Sequence, residues 1–149
     1  MSGKALHILL RTLDRLASRF GGNPRATAGH LNTGTTGEDT AYFYLRDHGY
    51  VIVARNWRVA GAKGEVDLIG WDSDVLCFIE VKTRTSREVK PAEAAVDEHK
   101  RRALRSMSRR YCRRARIDGP IRFDVVSVYL GSEGAVQEVT LFRNAFPVS

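Results

Sequence analysis

The segment Gly64–Arg84, GEVDLIGWDSDVLCFIEVKTR, joins two apolar runs through the short polar stretch Asp72–Asp74. β-Branched and aromatic residues on both sides of so brief a connection predict two antiparallel neighbouring strands, EVDLIGW and VLCFIEVKT. Any fold for this chain has to be built around that pair. The pair also carries a chemical anomaly, because Asp67, Glu80 and Lys82 stand inside its apolar runs. Packing alone would fill those places with Val, Ile or Thr.

Further elements extend the hairpin on both sides. A helix is expected from about Gly37 to His48, ended by Gly49. YVIVARNW, Tyr50–Trp57, reads as a strand, and GAKG, Gly61–Gly64, as a turn. Pro91 is expected to open a long helix to about Arg116, with Val96, Ala103, Met107 and Tyr111 on its apolar side. IRFDVVSVYL, Ile121–Leu130, is a further strand, and EVTLF, Glu138–Phe142, a candidate fifth. The order α-β-β-β-α-β-(β) predicts a mixed α/β domain with a hairpin-rich sheet between helices.

In front of this domain, residues 1–20 form a predicted amphipathic helix, with Leu6, Leu9, Leu10, Leu13, Leu16 and Phe20 at helical spacing. Residues 21–36 are rich in Gly, Thr, Asn and Ala and are expected to be a flexible linker. The main domain is then 37–149. The N-terminal helix has three readings: docking onto the domain, contact with a partner, or attachment to a membrane surface.

At 149 residues and 43% hydrophobic, the chain can bury a core of its own. The two cysteines, Cys77 and Cys112, make no disulfide framework, and the four histidines are too scattered for a zinc site. This predicts a reducing, cytoplasmic setting. No apolar stretch approaches the roughly 20 residues of a membrane-spanning helix, and no signal-peptide cleavage site is apparent.

Glu80 and Lys82 lie two apart on one strand and so share a face. Counting outward from the turn places Asp67 near Phe78 and diagonal to Glu80. Unpaired buried charges are costly, which leaves three readings. The trio is an internal ion-pair cluster, a set of polar residues on the solvent face of the sheet, or a site that holds a hard divalent cation through oxygen ligands. Glu38 is a candidate fourth member, because it shares a helix face with Ala41, Tyr42 and Leu45. Its alternative role is capping, in Thr35-x-x-Glu38, with Thr36-x-x-Asp39 as a second such box.

The formal net charge of +7 favours an anionic partner. That charge concentrates in KRRALRSMSRRYCRRAR, which holds Lys100, Arg101, Arg102, Arg105, Arg109, Arg110, Arg113 and Arg114 with no acid among them. Like charges at i,i+4 repel, so an unopposed run predicts a surface facing the phosphates of nucleic acid, with DNA the expected partner. No base-reading motif accompanies it, so shape and backbone should dominate recognition. The bland alternative is a solvated arginine-rich helix.

Asp67 with Glu80-x-Lys82 resembles the PD-(D/E)xK nuclease motif, with Glu38 in the place of the helical acid and Val66 where the motif has proline. In order, GEDTAYFYLRDHGYVIVARNWR, GEVDLI, FIEVKTR, HKRRAL and RFDVVSV resemble the blocks of the YraN-like bacterial family. The resemblance runs from about Gly37 to Val128. It departs after Arg84, where this chain reads TSREVKPAEAA in place of a Phe-Gly pair. It implies a restriction-endonuclease-like fold and a metal-dependent endonuclease that hydrolyses phosphodiester bonds, and branched or damaged DNA is the substrate expected here. It further implies a Mg²⁺ or Mn²⁺ cofactor held by Asp67, Glu80 and the Val81 carbonyl. Catalytic roles would fall to Glu38, Asp67, Glu80 and Lys82, with Lys82 acting on the attacking water or the phosphate. The same fold also accommodates an inactive nucleic-acid-binding module or a protein–protein adaptor.

Overall fold

The computed structural model describes residues 33–85 and 96–149. Helix α1 (Thr33–Asp47) is followed by β1 (Val51–Trp57), β2 (Val66–Asp72) and β3 (Val75–Arg84). Helix α2 (Glu98–Ala115), β4 (Ile121–Leu130) and β5 (Val136–Phe146) complete the order. The five strands form one sheet in sequence order, β1-β2-β3-β4-β5. All neighbours are antiparallel except β3 and β4, which run parallel with α2 lying between them in the chain. This is the expected α-β-β-β-α-β-β order, with the fifth strand confirmed. That strand is also longer than EVTLF. It continues to Phe146, which pairs with Phe123 across an irregularity in register.

Strict alternation along β3 divides the interior in two. Leu76 and Phe78 pack with Leu104 and Met107 of α2, together with Phe123, Val125 and Phe146. Cys77 and Ile79 pack with Ala41 and Leu45 of α1, together with Leu68, Val126 and Val128. The two described helices therefore cover opposite faces, and the central strand is buried on both. Glu80 and Lys82 keep the parity of Phe78 and lie on the α2 face.

Three expectations on element boundaries need correction. Helix α1 begins at Thr33, so Thr33–Thr36 belong to it and not to the linker. Thr35 and Thr36 accordingly lie within the helix, and neither capping box sits at its start. Instead the Thr40 hydroxyl donates to the Thr36 carbonyl at 2.8 Å. Gly49, with φ of 88°, ends the helix as expected. Helix α2 starts at Glu98. Asp97 is its N-cap, extended in backbone and accepting from the Lys100 amide at 2.8 Å. The apolar stripe of α2 runs through Leu104 and Met107, with Ala103 at its margin. The N-terminal helix, the linker as far as residue 32, Pro91 and most of TSREVKPAEAA lie outside the described residues.

Among the described residues, no helix is long and apolar enough to cross a membrane.

Candidate active site

The β2–β3 hairpin fixes the acids. Asp72 pairs with Val75, leaving a two-residue connection, Ser73 and Asp74, with Ser73 at a positive φ of 55°. Leu68 pairs with Ile79. The pairing ends there, and just beyond it the Asp67 side chain meets β3 by accepting from the Val81 amide, next to Glu80. Phe78 pairs with Ile69, so Asp67 does not lie beside it as expected; part of the difference is that Asp72 belongs to the strand and not to the turn.

Both carboxylates are buried, with Asp67 7% and Glu80 4% exposed. They are neutralised in different ways. Asp67 Oδ2 accepts the backbone N–H of Val81 at 2.7 Å. Burial, followed by repulsion from Glu80, pushes the Asp67 carboxyl up to about 7 against the pull of that amide and of Lys100. Glu38 adds to the repulsion from its place on α1. Glu80 is held between two ammonium groups, Lys82 Nζ at 3.0 Å from Oε1 and Lys100 Nζ at 2.9 Å from Oε2. The Lys100 ammonium also donates to the Glu65 carbonyl at 3.4 Å. Although Lys100 is at ion-pair distance, Glu80 Oε2 is a buried oxygen without a well-angled hydrogen bond among the described residues.

The sequence-derived candidates thus fall into two tiers. Asp67, Glu80, Val81 and Lys82 come together, with Val81 contributing its amide to Asp67. Glu38 approaches the group through its charge. Close packing brings its helix there, since a Cβ on neighbouring Gly37 would fall 1.8 Å from Thr83 Oγ1 on β3. Among the described residues no three His, Cys, Asp or Glu side chains gather as metal ligands, so Glu38 does not complete a three-carboxylate set. The donors available to a cation are the two buried carboxylates and backbone oxygen. Such hard donors, with one carboxylate oxygen lacking a hydrogen bond, fit a Mg²⁺- or Mn²⁺-sized ion that keeps several waters.

The basic helix divides in a way its composition does not reveal. Lys100 turns inward to Glu80. Arg101 donates to the Val96 carbonyl at 2.9 Å and lies over the Phe146 ring. Arg105 also lies over that ring, donates to the Pro147 carbonyl and pairs with Glu98 at 3.2 Å. These three side chains make contacts within the fold while remaining partly exposed. Arg102 is exposed and folds back on the Glu98 carbonyl. Arg109, Arg110, Arg113 and Arg114 are exposed and line a groove of about 500 Å³ together with Trp57, Val59 and Ser106.

Sequence reasoning missed a second charged cluster. Asp124, fully buried, accepts from Arg122 Nε at 2.7 Å, from the Tyr50 hydroxyl at 3.1 Å and from the Asn144 amide at 2.9 Å. Arg122 also pairs with Asp72 at 2.7 Å, and Arg143 with Asp72 at 3.3 Å. Burial, with Asp124 beside it, pushes the Tyr50 phenol up. The cluster lies on the α1 face toward the hairpin turn, and its hydrogen bonds close upon one another. The signal is present in RFDVVSV, where Arg122 and Asp124 interrupt an apolar strand just as Glu80 and Lys82 do.

A model of the family described as "Uncharacterised protein family UPF0102" matches residues 37–128, the span that carries the motif blocks. A UPF0102 protein of Koribacter versatilis is 52% identical over 120 residues, covering 80% of this chain and 82% of the relative. One of Solibacter usitatus is 44% identical over 140 residues, covering 93% and 98%. One of Acetivibrio thermocellus is 37% identical over 117 residues, covering 76% and 89%.

Proposed function

The chain belongs to the uncharacterised protein family UPF0102, and from that premise we propose that it is a metal-dependent DNA endonuclease of the PD-(D/E)xK type. The observation that carries the reading is the pair of buried, mutually repelling carboxylates, Asp67 and Glu80, with Lys82 paired to Glu80. A domain that needed only stability gains little by burying two acids side by side, because each raises the cost of ionising the other.

Asp67, Glu80 and the Val81 carbonyl would hold a Mg²⁺ or Mn²⁺ ion. When bound, the ion would supply Lewis acidity and a water nucleophile at neutral pH. Lys82 directs its N–H groups toward the phosphate oxygen on which charge develops, or orients the attacking water. Glu38 adds negative charge at the helical edge of the site. The exposed arginines of α2 lie on the same face and hold the nucleic-acid backbone without reading sequence. Branched or damaged DNA is the substrate class proposed.

The ion pairs around Glu80 support a second reading. With Lys82 and Lys100 both in contact, the acid is neutralised without any metal, which suits a nucleic-acid-binding module that cuts nothing. One comparison separates the two. Under the nuclease reading, Mn²⁺ raises the melting temperature of the wild type by mass action, and linear, flapped or branched DNA is cleaved. Glu80→Ala loses both effects, whereas Lys82→Ala keeps the thermal shift and loses cleavage. A wild type with neither a shift nor cleavage, yet with salt-sensitive DNA binding, establishes the second reading.

A further inference from the structure

The groove beside α2 has a composition that phosphate contact alone does not explain. Its lining combines Arg109, Arg110, Arg113 and Arg114 with Trp57, the last residue of β1, and Val59 just past it. Trp57 is pinned by Tyr111, with ring centroids 5.1 Å apart at 83°, and Tyr111 is pinned in turn by Phe78 at 5.7 Å. The indole therefore stands half-buried and rigid at the groove wall. No described acid pairs with any of these four arginines.

A ligand matching both parts of that lining needs regularly spaced negative charge and a flat apolar face. A duplex offers only phosphates to a groove of this size, since its bases are stacked inside. An acidic peptide offers charge without π-faces. A single strand offers both, and stacking on an aromatic ring tolerates any base. We propose that this groove binds single-stranded nucleic acid, with the arginines on the backbone and Trp57 stacked on a base.

The placement gives the inference its relation to the candidate active site. Lys100, in contact with Glu80, and Arg109 are on one helix, nine residues apart, or about 14 Å at 1.5 Å per residue. At this separation the groove lies a few nucleotides of an extended strand from the acids. Under the nuclease reading, on which only this distance rests, the protein takes a substrate with a single-stranded arm next to the bond it cuts.

The test is binding in EDTA, so it stands apart from metal binding and cleavage. Labelled dT12, rU12, a 12-base-pair duplex and poly-glutamate are compared by anisotropy, with Trp57 emission followed in a Trp71→Phe background. The expected result is tighter binding of a single strand, dT12 or rU12, than of duplex or poly-glutamate, with Trp57 emission quenched. Trp57→Ala should weaken single-strand binding about ten-fold, as expected for loss of one stacked base, and leave duplex binding unchanged. Paired reversal of Arg109 and Arg113 to Glu should weaken both. If Trp57→Ala does not fold, the quench in the Trp71→Phe chain decides. Duplex bound as tightly as single strand with Trp57 emission unmoved overturns the proposal, as does equal binding of poly-glutamate. Single-strand binding by a protein that never cleaves supports the groove and sinks only the nuclease reading. Cleavage without single-strand preference does the reverse.

Discussion

Replacing Asp67 with Asn is the sharpest perturbation of the acid pair. The carboxyl of Asp67 is raised from 3.8 to about 7 by burial and by Glu80. The folded protein therefore holds a proton that the unfolded chain releases, between about pH 4 and pH 7. Stability contributed by that proton is fully present below pH 4 and is lost as the pH rises through 7. The slope is about 1.4 kcal/mol per pH unit for one proton. Over three units the ceiling is about 4 kcal/mol, on the order of 10 °C in melting temperature for a domain of this size. The amide of the Asp67→Asn variant cannot ionise, and its oxygen can still accept the Val81 N–H now bonded to Asp67 at 2.7 Å. The variant should match the wild type near pH 4.5 and exceed it at pH 8. Urea unfolding at half-unit pH steps, in EDTA to exclude ions, gives the difference curve directly, and titrating groups remote from Asp67 cancel. Parallel curves between pH 5 and pH 8 would refute the reasoning and show that Asp67 ionises in the folded state as an ordinary solvated acid does.

Three other outcomes are expected. Gly37→Ala should destabilise by about 1–3 kcal/mol through overpacking, because its Cβ would meet Thr83 Oγ1 at 1.8 Å, and Thr83→Ala should recover part of the loss in denaturant melts. Asp124→Ala should cost about 1–3 kcal/mol by removing the buried acceptor of the Tyr50 hydroxyl and the Asn144 amide, with Arg122 still held by Asp72, as read by thermal melting. A chain beginning at Asn32, one residue before α1, should melt cooperatively within a few degrees of the full chain, and a large drop would mean that the leucine-rich N-terminus packs into the core.

The hairpin and both flanking strands are legible in the sequence because β-branched runs and short polar turns are local signals. The register is not. Asp72 looks like a turn residue, but it pairs with Val75, and Ile69 rather than Asp67 stands beside Phe78. The run of α2 arginines is legible as charge, but its division is not. Whether Arg101 and Arg105 meet solvent or the Phe146 ring depends on where a strand more than thirty residues later comes to lie. The same non-locality hides the partnership of Lys100 with Glu80, which joins a helix to a strand that precedes it. The Arg122–Asp124 cluster is recognisable by the argument applied to Glu80 and Lys82. It lacks a familiar motif around it, and so the segment reads as ordinary strand.

In β3 one ladder position is held by a side chain, since the amide of Val81 donates to the Asp67 carboxylate. That proton senses the charge on the acid through a single bond. Its resonance in a ¹⁵N-correlated spectrum should move as Asp67 titrates, and move again when a cation draws the carboxylate away. One nucleus in the centre of the sheet thereby becomes a gauge of occupancy that reads the same whether or not any phosphodiester is ever broken.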